Sequence, residues 1–181
     1  MKATITEGIE IPEGIQIQLE HGLITVQGSR GTIQRKVSLP GISITKDNHN
    51  LVFSTPKGTL REKRMIKTTM AHVNSMMHGV NEGFVYELKI CSGHFPMNVS
   101  TDGKTVIIKN FLGEKVPRKA SIIDGVTVRV EGDKVICEGS DKENVSQTAA
   151  RIETATKIKG RDRRVFQDGI YVTIKAGEPI R

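Results

Sequence analysis

"EGFVYELK", residues 82–89, returns as "DGIYVTIK" at residues 168–175. Each opens on an acidic residue and a glycine, alternates apolar with polar positions, and closes on lysine. Alternation with period two is what a half-buried strand requires, because successive side chains point to opposite faces of a sheet. The match extends outward. "VQGSRGTIQRKV" (26–37) resembles "IKNFLGEKVPRKA" (108–120), each with a strand, a glycine-bearing turn and a basic pair, Arg35-Lys36 or Arg118-Lys119. "NLVF" (50–53) matches "KVIC" (134–137). The offset drifts between 82 and 86 residues, as loops of unequal length allow. Solenoid repeats recur at about 20–50 residues, so the pattern reads as two tandem copies of one small domain.

Both copies follow one plan. Short strands come first, punctuated by "HG", "GSRG" and "KDNHN" in the first copy and by "TDG", "IDG" and "EGD" in the second. A helix follows. In the first copy Thr59 and Glu62 have capping-box spacing. Ile66, Met70, Val73 and Met77 then recur at helical intervals, and Gly79 closes the pattern. In the second, Ser140 and Glu143 take the capping positions and Val145, Ala149, Ile152 and Thr156 form a narrower face. A last strand ends each copy, Phe84–Ile90 or Ile170–Lys175. The expected fold class is α+β: two tandem domains, 1–90 and 91–181, each an antiparallel sheet with one main helix packed on it. The boundary is placed at "CSGHFP" (91–96), where Ser, Gly and Pro break the periodicity.

Composition narrows the function. The 181 residues are 36% hydrophobic and 26% charged, a globular balance. Aromatics are only 4%, with no Trp, so the cores must be built from Ile, Val, Leu and Met. Twenty-seven Lys and Arg against 20 Asp and Glu give +7, a field that attracts polyanions, nucleic acid first. No apolar run approaches the roughly 20 residues of a spanning helix. Glu7 and Glu10 fall where a signal peptide would be apolar, so a cytoplasmic location and no membrane partner are expected. Cys91 and Cys137 are too few for a disulfide framework and read as small buried residues.

No constellation of catalytic residues stands out. His21, His49, His72, His78 and His94 are scattered, with no Cys or carboxylate at metal-ligand spacing. No nucleophile elbow is present. "GSRG" is too short for a phosphate loop and leads into a strand. Carboxylate pairs such as Glu131/Asp133 belong to turn chemistry. No catalytic residue, metal, cofactor or small-molecule substrate is expected.

Charge location is more telling than charge. Residues 91–181 carry 16 basic and 12 acidic side chains, net +4. Lys157, Lys159, Arg161, Arg163 and Arg164, offset only by Asp162, supply that same +4 within eight residues. Gly160 interrupts the run and permits close backbone approach to a partner. Three of the five are Arg, suited to forked phosphate contact. The aromatic platforms of single-strand base readers are missing, with only Phe166 and Tyr171 nearby. Recognition of a folded RNA by shape and backbone fits best. A second cluster, Lys57, Arg61, Lys63, Arg64 and Lys67, reads equally well as the polar face of a helix.

The stretch Ile158-x-x-Arg161-x-x-Arg164-x-Phe166-x-Asp168-Gly169-Ile170-Tyr171-Val172-x-x-Lys175 resembles the signature of the universal large-subunit ribosomal protein six family, in its archaeal and eukaryotic branch. "IPEG" near the start, "EGF" and the duplication extend the likeness along nearly the whole chain, while Thr154 stands where the signature often has Gln. The resemblance implies a structural constituent of the large ribosomal subunit, not an enzyme. It implies binding of 23S-type large-subunit rRNA near the stalk base and the sarcin–ricin region, chiefly through the second domain, with neighbouring ribosomal proteins as further partners. Lys157, Lys159, Gly160, Arg161, Arg163 and Arg164 would grip that rRNA, with Arg118 and Lys119 as weaker additions. Phe166 and Ile170 would anchor the loop to the sheet. The first domain would face outward or meet a neighbouring protein. The alternatives are an RNA- or DNA-binding module outside the ribosome and, third, a nucleic-acid-processing enzyme using scattered carboxylates.

Overall fold

The computed structural model describes residues 3–47 and 49–180. Asn48, inside the expected turn "KDNHN", lies outside the described residues. The chain divides into two compact units, Met1–Glu82 and Gly83–Arg181.

In the first unit, β1 (Ala3–Glu10), β6 (Asn50–Gly58) and β5 (Ser43–Asp47) form one antiparallel sheet in the order β1-β6-β5. A second sheet is the meander β2 (Gln16–Glu20), β3 (Leu23–Gly28) and β4 (Gly31–Lys36). Helix α1 (Leu60–Asn81) packs on strands of both. It starts as its sequence requires. The Thr59 side chain accepts from Arg61 N at 3.2 Å, and Glu62 reaches back to Thr59 N at 2.9 Å. Ile66, Val73 and Val80 from the helix meet Ile17, Ile24, Val26, Leu51 and Phe53 in the core. Gly79 does not close the helix; it is buried within the last turn. The stop is Gly83, at φ +81°, a left-handed conformation that glycine adopts without Cβ strain. "GSRG" also finds its role here. Arg30 N donates to Val80 O at 2.8 Å and Ser29 Oγ to Asn81 O at 3.2 Å, satisfying carbonyls at the helix end.

In the second unit, β7 (Phe84–Cys91), β11 (Val126–Glu131), β12 (Lys134–Gly139), β13 (Gly169–Lys175) and β14 (Glu178–Pro179) form a five-stranded antiparallel sheet, β11-β12-β7-β13-β14. A three-stranded meander holds β8 (Asn98–Thr101), β9 (Thr105–Lys109) and β10 (Arg118–Ser121). Helix α2 (Lys142–Ala155) packs on β7, β10, β12 and β13. Its cap is Asp141, whose carboxylate accepts from Glu143 N at 2.8 Å, one residue after the expected Ser140. Val145, Ala149 and Ile152 are buried against Leu88, Val106, Ile108 and Ile170.

The fold is α+β, as expected, but the copies are phased differently. The division at Glu82/Gly83 replaces the expected 90/91, because β7 is the central strand of the second unit's sheet. Phe84, Tyr86 and Leu88 face that core. The β7-β12-β11 order then mirrors β1-β6-β5, so each unit begins with this strand and places its helix directly after the three, while β13 and β14 follow α2 in the second unit. The twin segments that reveal the repeat are neighbours in one sheet, with Ile170 opposite Ile90 and Val172 opposite Leu88.

Candidate nucleic-acid interface

The basic segment leaves α2 at a buried hinge. Thr156 is 3% exposed; its hydroxyl donates to Glu153 O at 3.1 Å and accepts from Ile170 N at 2.9 Å. One side chain thus closes the helix and fixes the first residues of β13. Ile158 is buried, while Lys157, Lys159, Gly160, Arg161, Arg163 and Arg164 are exposed. Gly160 sits at φ +70° with nothing within 4 Å of a would-be Cβ, so its backbone is open to a partner.

The loop has internal order. Asp162 O accepts from Phe166 N at 2.9 Å, and the Asp162 carboxylate accepts from Arg164 N at 2.9 Å and Nη2 at 2.7 Å. Hydrogen bonds from the Arg164 side chain and then its backbone hold the Asp162 carboxyl below the usual aspartate range. Lys157, Lys159 and Arg163 extend with no side-chain hydrogen bond or ion pair among the described residues. Arg161, exposed, lies over the Phe166 ring at 4.8 Å, a cation–π contact.

Two clamps pin the ends of this loop. At its start stands Arg118, on β10. Its guanidinium stacks over Phe111 at 4.2 Å and takes Glu114 in a fork, Nε to Oε2 at 2.8 Å and Nη2 to Oε1 at 2.6 Å. Nη1 donates to Ala155 O at 2.8 Å and Lys157 O at 3.3 Å. Arg118, expected as a weaker addition to the RNA grip, has four of its five N–H donors engaged, on Glu114 and on the carbonyls of Ala155 and Lys157. Hydrogen bonds from Arg118 hold the Glu114 carboxyl low against a smaller effect of burial, and the Arg161 charge adds to this. Lys119, next on the strand, points outward beside a groove that Arg151 and Gln147 also line.

At the loop's other end Asp168 is buried, 2% exposed. Its Oδ1 accepts from Gly93 N at 2.7 Å and His94 N at 2.9 Å, and Oδ2 meets His94 Nδ1 at 2.5 Å. Burial pushes this carboxyl up, but the bonds from His94 and Gly93 outweigh it, and the net shift is downward. The His94 ring stacks on Phe166 at 4.8 Å and 28°. The Tyr171 ring crosses Gly169, where a Cβ would lie 2.8 Å from Cζ, and its hydroxyl donates to Gln167 O at 3.2 Å. Phe166 and Ile170 do anchor the loop, both packing on the second core. The sequence reading missed the Asp168–His94 pair. Its only trace is an acidic residue at the head of β13, whose counterpart in the repeat, Glu82, is exposed.

A buried carboxylate on an imidazole also invites a catalytic reading. Cys91 and Ser92 line the same groove, yet no hydrogen bond joins either to His94 among the described residues. Burial without a compensating charge raises the Cys137 thiol to about 12, which makes it unreactive. Among the described residues no group of His, Cys, Asp and Glu could hold a metal, and no helix is long and apolar enough to cross a membrane.

Known proteins are similar to this chain in sequence. The family model described as Ribosomal protein L6 matches residues 11–83 and again 95–169, once per copy. A "Large ribosomal subunit protein uL6" of Methanococcus vannielii is 46% identical over 176 residues, 97% of each chain. The protein of the same description from Methanobrevibacter smithii is 47% identical over 173 residues, covering 96% of this chain and 97% of its own. With both copies matched and relatives aligned almost end to end, the chain belongs to the ribosomal protein L6 family.

Proposed function

We propose that this protein is a structural constituent of the large ribosomal subunit that binds 23S-type rRNA through the 157–164 loop of its second unit. The loop would lie near the stalk base and the sarcin–ricin region, and the first unit would face outward or meet a neighbouring protein. The observation that carries the reading is a cationic loop clamped at both ends, by Arg118 and by Asp168. A backbone already held in shape loses little entropy on binding, so more of the phosphate attraction appears as affinity. Lys157, Lys159, Arg161 and Arg163 supply the contacts, Arg164 holds the turn through Asp162, and Gly160 lets the backbone close in. Lys119 extends the surface, and Arg118 positions the loop.

Four phosphate contacts, from Lys157, Lys159, Arg161 and Arg163, predict a log–log salt slope of about −2.8 to −3.6. Replacing Lys157, Lys159, Arg161, Arg163 and Arg164 by Ala is expected to weaken binding to large-subunit rRNA by at least about 100-fold at moderate salt and to flatten the slope. Wild-type protein is expected to sediment with large subunits. Sedimentation apart from them would favour a free-standing RNA-binding module. Equal affinity of the five-Ala variant would remove the loop from the interface.

A further inference from the structure

Helix α1 of the first unit carries a surface that the fold does not use. Leu60, its first residue, is 74% exposed. Lys63 and Arg64 stand three and four positions on, its neighbours on the helix surface, and Lys57 and Arg61 flank it. All are exposed. The buried positions Ile66, Thr69, Val73, Met76 and Val80 occupy the opposite side, so the leucine points away from its own core.

The charge runs against local physics. The start of a helix is its positive end and favours acidic side chains, yet Arg61 and Lys63 sit in the first turn. The acidic residue there, Glu62, is engaged by the Thr59 side chain and backbone, which hold its carboxyl low. Lys67 pairs with Glu7 at 2.9 Å. Lys57, Arg61, Lys63 and Arg64 have no side-chain hydrogen bond or ion pair among the described residues. The capping box serves the N–H groups of Thr59, Arg61 and Glu62, so what is on offer is chiefly a set of side chains: one apolar knob among cations. A violated local preference with no internal compensation marks a surface shaped by something outside the chain.

We propose that Leu60, with the exposed cations Lys57, Arg61, Lys63 and Arg64 near it in the chain, is a docking surface for an acidic protein segment that carries an apolar pocket. An apolar centre within a charged rim is how protein interfaces are built, the centre giving affinity and the rim giving register. RNA backbone would pair with the cations but leaves the leucine without a role. The inference rests on the large-subunit assignment, and names the kind of partner the first unit meets there.

The test uses full-length protein with the photocrosslinker p-benzoylphenylalanine at position 60, assembled into purified large subunits. The expected result is a protein adduct whose crosslinked peptide is rich in Asp and Glu. It should be lost in an Arg61→Glu/Arg64→Glu background that still sediments with the subunit. That background should also keep a Tm equal to or above wild type, since acids suit this helix end. Loss of fold would lower Tm, whereas loss of docking alone would not. An adduct to RNA, a non-acidic peptide or no adduct overturns the proposal while leaving the large-subunit assignment standing. Failure of the wild-type chain to sediment with subunits removes the assignment itself, and this inference with it.

Discussion

Replacing Asp168 separates the shape of the loop from its charge. The carboxylate accepts three hydrogen bonds, two at Oδ1 from the Gly93 and His94 amides and one at Oδ2 from His94 Nδ1. Asp168→Asn can keep the two backbone bonds but turns charge-assisted bonds into neutral ones and sets an NH2 against His94. Neutral bonds are worth about 1 kcal/mol less each, so a loss of about 1–2 kcal/mol is expected. Asp168→Ala removes all three, and about 2–4 kcal/mol is expected. Both tyrosines, Tyr86 and Tyr171, lie in the second unit and the chain has no Trp, so tyrosine fluorescence in urea reports that unit. The sign with pH follows from the lowered carboxyl. Its stabilisation is fully present above the unfolded aspartate value of about 3.9 and is lost as pH falls through the lower folded value, so wild type and Asp168→Asn should converge in acid. The Gly93 and His94 amides should exchange about 30–700-fold faster in Asp168→Ala, the equivalent of that 2–4 kcal/mol at about 1.4 kcal/mol per tenfold. Because every loop cation remains, RNA affinity should drop less than in the five-Ala variant and the salt slope should stay unchanged. A wild-type urea midpoint and unaltered amide exchange in Asp168→Ala would refute the clamp.

Arg118→Lys keeps the charge but loses the fork on Glu114 and the stacking on Phe111; about 1–2 kcal/mol of stability should go, measured by the same urea titration. Cys137, buried and with its thiol raised to about 12, should resist iodoacetamide at pH 8 in the native protein and react only on unfolding, as read by mass spectrometry. Gly28→Ala would set a Cβ 2.6 Å from Val80 Cγ2 and 2.9 Å from Val80 O; a loss of about 1–3 kcal/mol is expected in thermal unfolding of the first unit.

Much of this was legible in the chain. The capping box Thr59/Glu62, the apolar face of α2 and the strand at 84–91 depend on neighbours within a few residues, and local chemistry specified them. The errors share one cause. Gly79 and Ser140 are residues of the right type in the wrong place, because a glycine stops a helix only where φ is positive and a cap works only where its oxygen meets a free N–H. Here Gly83 and Asp141 satisfy those conditions. The basic loop was visible as composition. Its anchoring was not, since Asp168 and the His94 it holds are 74 residues apart in sequence. Arg118 looked like one more cation until Ala155 and Glu114 were seen to occupy its donors.

The sequence by itself determined the duplicated α+β plan, the periodicity of its strands and helices, and the placing of five cations between α2 and β13. Each of these is a local or repeating property, readable from spacing alone. Only the tertiary structure decided that β7 belongs to the second unit and that the loop is clamped by Arg118 and Asp168. Period-two alternation says which face of a strand is buried, and is silent on which sheet will bury it. Pairing partners far apart in the chain are chosen by packing and by the need to satisfy every buried polar group, and those conditions exist only once the chain has folded.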